Sequence, residues 1–350
     1  MTTAVALRHH TTLQVGGEAR SFVSAADCGQ ALEHARSARS QGLPLLILGG
    51  GSNMLVADTG FPGVVMRWQD RSLHILEQSP GRVRVKVGGG WVWDEWVAEA
   101  VERNWTGLEC LSGIPGQVGA APIQNIGAYG QEVCQWIEAC WLLDWESGTE
   151  SRVPASECGF GYRDSRFKGD WKGRYLVTAV EFGLLPGHPP QLRYKELQQK
   201  MEGRPQTLAE VRATVLAIRR SKSMVWDPTD PNHRSAGSFF VNPIVSAEVA
   251  ERLQKEFADM PCWPSGQAVN KLSAAWLIER AGFPKGWGQG PAGLSSNHVL
   301  ALINRGTARA TDLIEVAAAV RRGVWKRFAV RLQPEPEFIG FDRSVDDLLA

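Results

Sequence analysis

No Gly-Lys dipeptide occurs anywhere in the 350 residues, so a Walker phosphate loop is excluded. There is no Gly-x-Ser-x-Gly nucleophile elbow. The seven histidines, at 9, 10, 34, 74, 188, 233 and 298, show no His-Glu-x-x-His and no ligand spacing, and no metal site is expected. The six cysteines form no Cys-x-x-Cys, and their irregular spacing fits reduced thiols in a cytoplasmic protein. Charge of one sign is also missing: 38 basic against 37 acidic residues leave +1. That balance excludes a generally basic nucleic-acid binder. No apolar run approaches the roughly 18 residues of a membrane helix. The opening MTTAVALRHHTTLQVGG has neither the basic start nor the apolar core of a secretory leader. Neither membrane insertion nor export is expected.

What is present is an ordinary globular composition with an excess of two residues, 37 glycines and 14 tryptophans. The length predicts two or three domains. Asp27 predicts the cap of a helix reaching Ser40, and LPLLIL (43–48) a short strand that runs straight into GGGSN (49–53). RVRVKV (82–87) alternates like a strand and ends in GGG, and 93–103 reads as an amphipathic helix. Strands are expected at 136–145 and 174–182. Helices are expected at 246–257, 272–281 and 311–327, and another from a Thr207/Glu210 capping box to Lys222. Mixed helix and strand of this kind predicts an α+β protein.

Four segments carry chemistry. In GGGSN the glycines let successive N–H groups face one anion, as a pyrophosphate requires; an ordinary tight turn is the competing reading. Its spacing is not the dinucleotide fingerprint, because position 54 is Met. SGIPGQVGAAPIQNIGAYG (112–130) is built of small residues that let main chain lie against a flat ligand, or else let loops cross tightly. GFGYRDSRFKG (159–169) clusters Tyr162, Arg163, Arg166 and Lys168. An arginine there could grip a carboxylate with its two-donor fork, although charged runs are more often solvated loops. SAGSFFVNP (235–243) sets Ser238 before two aromatic residues.

Together these segments resemble one family, UDP-N-acetylenolpyruvoylglucosamine reductase. The resemblance runs through TTLQVGG (11–17), LGGGSNMLV (48–56), GLECLSGIPGQVGAAPIQNIGAYG (107–130), CGFGYRDSRFK (158–168), AGSFFVNP (236–243), AAWLIERAGF (274–283), HVLALIN (298–304) and LQPEPEFIG (332–340). It implies an α+β architecture, with an FAD-binding fold of the vanillyl-alcohol-oxidase type in two subdomains and a third domain for substrate. The expected limits are 1–69 with 329–350, then 70–222, then 223–328. It implies non-covalent FAD, NADPH as reductant, and reduction of UDP-N-acetylglucosamine-enolpyruvate to UDP-N-acetylmuramate for peptidoglycan. A cytoplasmic monomer that binds no nucleic acid is expected.

The resemblance also assigns residues. Arg163, Ser238 and Glu335 match the catalytic set: carboxylate binder, proton donor and the Glu that polarises the intermediate. Cofactor contacts fall on Gly49, Gly50, Gly51, Ser52, Asn53 and Met54. They continue along Gly113, Ile114, Pro115, Gly116, Val118, Gly119 and Ala120, then Gln124, Asn125, Gly127 and Ala128. Substrate contacts fall on Tyr129, Tyr162, Tyr194, Lys222, Asn242 and His298. QLRYKEL (191–197) resembles the subclass with a tyrosine loop that closes over the nucleotide.

Three features depart from the family pattern: a longer 223–237 segment, His298 where some relatives carry Gln, and Pro336 after Glu335. Two other readings stay open. One is a different flavin oxidoreductase on the same fold, although the FAD loop lacks the His to which many of those enzymes attach flavin. The other is a non-catalytic binder of FAD or a nucleotide sugar, which would be expected to have lost Arg163, Ser238 or Glu335.

Overall fold

The computed structural model describes residues 4–350. The chain divides into two compact units. One is built mainly from 19–51 and 62–226, the other from 6–18, 52–61 and 227–350.

Two sheets carry most of the first unit. In the smaller, Glu18–Ala25, Phe61–Trp68 and Leu45–Ile47 lie side by side, the last two parallel. Helix Cys28–Ser40 leads between them, its first turn capped by the Asp27 carboxylate, which accepts the Gln30 N–H. The larger sheet is antiparallel, in the order Glu150–Pro154, Ile137–Asp144, Tyr175–Pro186, Arg82–Gly88, Leu73–Ser79. RVRVKV behaves as its alternation predicts: Val83, Val85 and Val87 are fully buried. They pack with Trp93 and Trp96 of helix Trp93–Glu102 and with Phe182. Trp96 lies 5.6 Å from Phe182 between ring centres. Helix Leu208–Ser221 starts as expected at Thr207, whose hydroxyl accepts the Glu210 N–H. The reciprocal half of the expected box does not form, because the Glu210 carboxylate is held by Arg204 at 2.9 Å.

The second unit has one large core, in which Phe239, Phe240, Leu272, Leu277, Leu302, Leu313 and Leu332 are buried together with Leu13 and Leu55. Helix Ala310–Phe328 forms its longest wall. Residues 330–341 are strand only over Glu337–Ile339, which pairs in parallel with Met54–Val56. Thus the segment LGGGSNMLV enters as part of the first unit and leaves, from Ser52 onward, as part of the second. TTLQVGG belongs to the second unit for a related reason. Gly17 N–H donates to Ala57 O, and Thr12 Oγ1 to Ser52 O.

Candidate functional site

In the first unit the two glycine loops touch. A Cβ on Gly50 would lie 2.7 Å from Gly116 Cα, and one on Gly119 would lie 2.8 Å from Val177 O. Neither spacing admits a side chain, so glycine at these positions is a packing requirement. Among the described residues, the N–H groups of Gly49, Gly50 and Gly51 have no intramolecular acceptor. Three successive main-chain donors on a glycine cradle are suited to an anion. Gly113 is pinned at the head of the second loop. Its N–H donates to the Asp94 carboxylate, which Arg212 holds bidentately at 2.6 and 2.8 Å. Burial alone would raise the Asp94 carboxyl; the Arg212 fork and the Gly113 N–H outweigh it and hold the group below its usual range.

The charged cluster at 159–169 is sorted by the fold. Arg166 turns to Asp170 and lies over Trp171, 4.2 Å from its ring centre. Lys168 donates to Arg163 O at 3.0 Å. Arg163 sits in a two-residue turn closed by Gly161 and Asp164. Its φ is +53°, a conformation usually left to glycine. Its guanidinium donates to Asn125 O and Gly127 O. Asn125 and Tyr129 also have positive φ, +42° and +49°. Three such non-glycine residues along two neighbouring loops are backbone strain of the kind that clusters at functional sites.

Beside these loops, Tyr129 packs edge-on against Tyr194 with ring centres 5.5 Å apart. Burial pushes the Tyr129 hydroxyl up to about 12. Tyr194 is 43 % exposed and is the residue before helix Lys195–Met201, which its side chain does not cap. The surface-helix position and a contact with a second tyrosine are therefore both realised. Lys222 ends helix Leu208–Ser221 and its Nζ lies 2.6 Å from Glu196 Oε2. Tyr162 lies beneath the Arg163 guanidinium, 5.8 Å from ring centre to Cζ.

In the second unit one hydrogen-bond series runs through several candidates. Leu300 N–H donates to His298 Nδ1 at 3.1 Å, so neutral His298 carries its proton on Nε2. Phe239 N–H donates to Leu300 O at 2.7 Å, and Glu335 N–H to Phe239 O at 2.8 Å. Asn53 Nδ2 then donates to Glu335 O at 3.1 Å, and Glu337 N–H to Asn53 O at 2.9 Å. Pro336 falls between two N–H groups that are both used, Glu335 to Phe239 O and Glu337 to Asn53 O, so the proline removes neither of these bonds. Ser238 lies beside this series, next to buried Phe239, and among the described residues its hydroxyl has no intramolecular partner. Asn242 Oδ1 accepts the N–H of Ala274, the first residue of helix Ala274–Arg280, which Ser273 caps. In the long 223–237 segment Asn232 is buried and exchanges hydrogen bonds with Ser296, two residues before His298.

Sequence reasoning missed several contributors. Arg219 stands on the buried face of its helix with Val211, Val215 and Ile218. Its Nε is buried without a partner among the described residues, while Nη2 donates to Met224 O. Desolvation lowers its pKa from the ordinary arginine value. A cation interrupting an apolar helical stripe was the available signal. Asp94, Arg212 and Glu196 gave none, since each is one acidic or basic residue on an amphipathic helix.

The donor set fits a flavin dinucleotide: free main-chain N–H groups on a glycine cradle, with a second small-residue loop against it. Among the described residues no group of three His, Cys, Asp or Glu side chains could hold a metal ion. No helix there is long and apolar enough to cross a membrane.

Comparison with known proteins agrees. Residues 19–152 match a family described as FAD binding domain. Residues 228–339 match UDP-N-acetylenolpyruvoylglucosamine reductase, C-terminal domain. The chain is 46 % identical over 347 residues to the UDP-N-acetylenolpyruvoylglucosamine reductase of Thermobifida fusca, covering 96 % of this chain and 97 % of that one. It is 45 % identical to the one from Salinispora arenicola, covering 95 % and 94 %. The crystal structure of the Thermus caldophilus reductase superposes with a TM-score of 0.66 at 28 % identity, covering 97 % of this chain and 99 % of that one. With the α+β fold, the FAD-binding domain and the C-terminal domain all present, the chain belongs to the UDP-N-acetylenolpyruvoylglucosamine reductase family of FAD-dependent oxidoreductases, which serve peptidoglycan-precursor synthesis.

Proposed function

We propose that this chain reduces the enolpyruvyl group of UDP-N-acetylglucosamine-enolpyruvate to give UDP-N-acetylmuramate, with NADPH as reductant, as a cytoplasmic monomer. FAD bound here would supply the hydride-transfer chemistry that links NADPH to the enolpyruvyl double bond. Gly49, Gly50 and Gly51 would hold its pyrophosphate through their N–H groups, and the 113–128 loop would lie along the flavin. The division into 1–69 with 329–350, 70–222 and 223–328 belongs to the same proposal.

The protein's own work lies at the substrate. Negative charge grows at the carbon next to the carboxylate and spreads into it, so the Arg163 fork binds more tightly as the reaction advances. The Ser238 hydroxyl gives its proton to that carbon. A serine is a weak acid, so its neighbourhood must stabilise the charge left behind, while Glu335 helps to polarise the intermediate. Tyr129, Tyr162, Lys222, Asn242 and His298 bind the substrate, with Tyr194 as the closing tyrosine of the tyrosine-loop subclass.

The observation that supports this reading most is the series Asn53–Glu335–Phe239–Leu300–His298. One series of hydrogen bonds, main chain at its centre and closed at its two ends by the side chains of Asn53 and His298, ties a cofactor-loop residue to Glu335, to the neighbour of Ser238 and to a substrate-side histidine. The test separates two half-reactions. In Ser238→Ala, NADPH still reduces the flavin, whereas reoxidation by the enolpyruvyl substrate slows by about 10²–10⁴-fold. Equal losses in both half-reactions would show that Ser238 only supports the fold.

A further inference from the structure

We infer that Asn125 is a positioning residue for Arg163, holding the turn that carries the guanidinium at both its base and its head. The inference rests on the proposed role of Arg163.

Asn125 is fully buried, and each polar group on its side chain is engaged. Nδ2 donates to Gly161 O at 2.8 Å and to Glu132 Oε2 at 3.1 Å. Oδ1 accepts the Cys134 N–H at 3.1 Å. Gly161 is the residue that closes the Arg163 turn, exchanging main-chain bonds with Asp164. The Asn125 amide therefore grips the base of that turn. Its main-chain carbonyl accepts from Arg163 Nη1 at 3.3 Å and grips the head. With Gly127 O on Nη2, two carbonyls from one loop set the plane of the guanidinium. Plane and distance are what a bidentate carboxylate contact depends on.

The residue type follows. Two donors and one acceptor on a short stem, at a φ of +42°, describe asparagine. Aspartate would keep the acceptor but lose both donors, and would set a second carboxylate beside Glu132. Glycine would accept the backbone conformation but remove the grip on Gly161 O. Alanine would add strain of its own, so it is the poorer test.

The experiment uses holoenzyme of Asn125→Gly and of Asn125→Asp, with stopped-flow rates for both half-reactions at saturating NADPH and saturating UDP-N-acetylglucosamine-enolpyruvate. The ratio of flavin reoxidation to flavin reduction is expected to fall about 10–100-fold in both variants, the effect of an arginine displaced by around 1 Å. Because Asn125 acts through Arg163, adding Asn125→Gly to Arg163→Lys is expected to change that ratio by no more than about twofold beyond Arg163→Lys alone. A ratio like wild type in both single variants overturns the inference. So do losses that multiply in the double variant, because they place the effect of Asn125 elsewhere than Arg163. If Arg163→Lys by itself leaves the ratio unchanged, the reading of Arg163 fails, and that result is distinct from either of these.

Discussion

Gly50→Ala forces a methyl group into the main chain of the facing loop. The new Cβ would lie 2.7 Å from Gly116 Cα, 3.2 Å from its carbonyl carbon and 3.3 Å from its nitrogen. Carbon atoms in good contact stand about 3.5–4.0 Å apart, so the loops must separate by close to an ångström. Gly116 is poorly placed to yield: its carbonyl accepts the Trp93 N–H at 3.0 Å, and Gln117 bridges to Val92. Loop 49–51, whose N–H groups have no internal acceptor, is the part that moves. Overpacking of this kind costs about 1–3 kcal/mol. If that cost falls on the FAD-bound form, affinity drops by about 5–150-fold. Gly49→Ala is the paired comparison. Its Cβ meets Ala120 Cβ at 3.5 Å and Gln117 Oε1 at 3.6 Å, so no main-chain shift is demanded, and its loss of affinity is expected to be the smaller of the two. The assay is titration of deflavinated protein with FAD, followed by flavin fluorescence, with thermal unfolding of the same samples. Gly50→Ala binding FAD as tightly as Gly49→Ala, with no difference in unfolding temperature, would refute the reasoning.

Asp94→Asn removes a carboxylate whose pKa the Arg212 fork and the Gly113 N–H hold down against the effect of burial. A depressed pKa stabilises the fold above the unfolded value, about 3.9, and the gain is lost as pH falls through the folded value. The variant is therefore expected to be about 1.5–3 kcal/mol less stable than wild type at neutral pH, with the gap closing below roughly pH 4; urea unfolding across pH checks this, and a gap that persists in acid contradicts it. Arg163→Lys keeps the charge but loses the planar fork, so the maximal rate of flavin reoxidation is expected to fall, beyond any change in substrate affinity. Full rescue at saturating substrate would restrict Arg163 to ground-state anchoring. Truncating Tyr194 to Ala is expected to weaken UDP-sugar binding and spare FAD binding, and hydrogen exchange over 186–200 is expected to slow when the UDP-sugar is added. Unchanged exchange, with normal substrate binding by both Tyr194→Phe and Tyr194→Ala, would end the lid proposal.

Much of this protein was legible before any coordinates. Period-two burial in RVRVKV and the Asp27 cap are local rules, and the structure obeys them. Local rules failed where a side chain had a competing partner. Glu210 had the spacing for a capping box but is taken by Arg204. Of two arginines three residues apart in GFGYRDSRFKG, Arg163 turns to the carbonyls of Asn125 and Gly127, while Arg166 is held by Asp170 and the Glu157 carbonyl. Nothing in their spacing distinguishes them.

By itself the sequence determined the class of elements, the family and the positions where main chain must be bare. Each of these is carried by residues adjacent in the chain: glycines that admit no Cβ, and apolar residues at the period of their own strand or helix. Tertiary structure alone decided which donors meet which acceptors. Asn125 reaches Gly161 across 36 residues and Asn53 reaches Glu335 across 282. A hydrogen bond is directional and satisfied within a few tenths of an ångström, and positions at that precision are set only when the two segments are packed side by side.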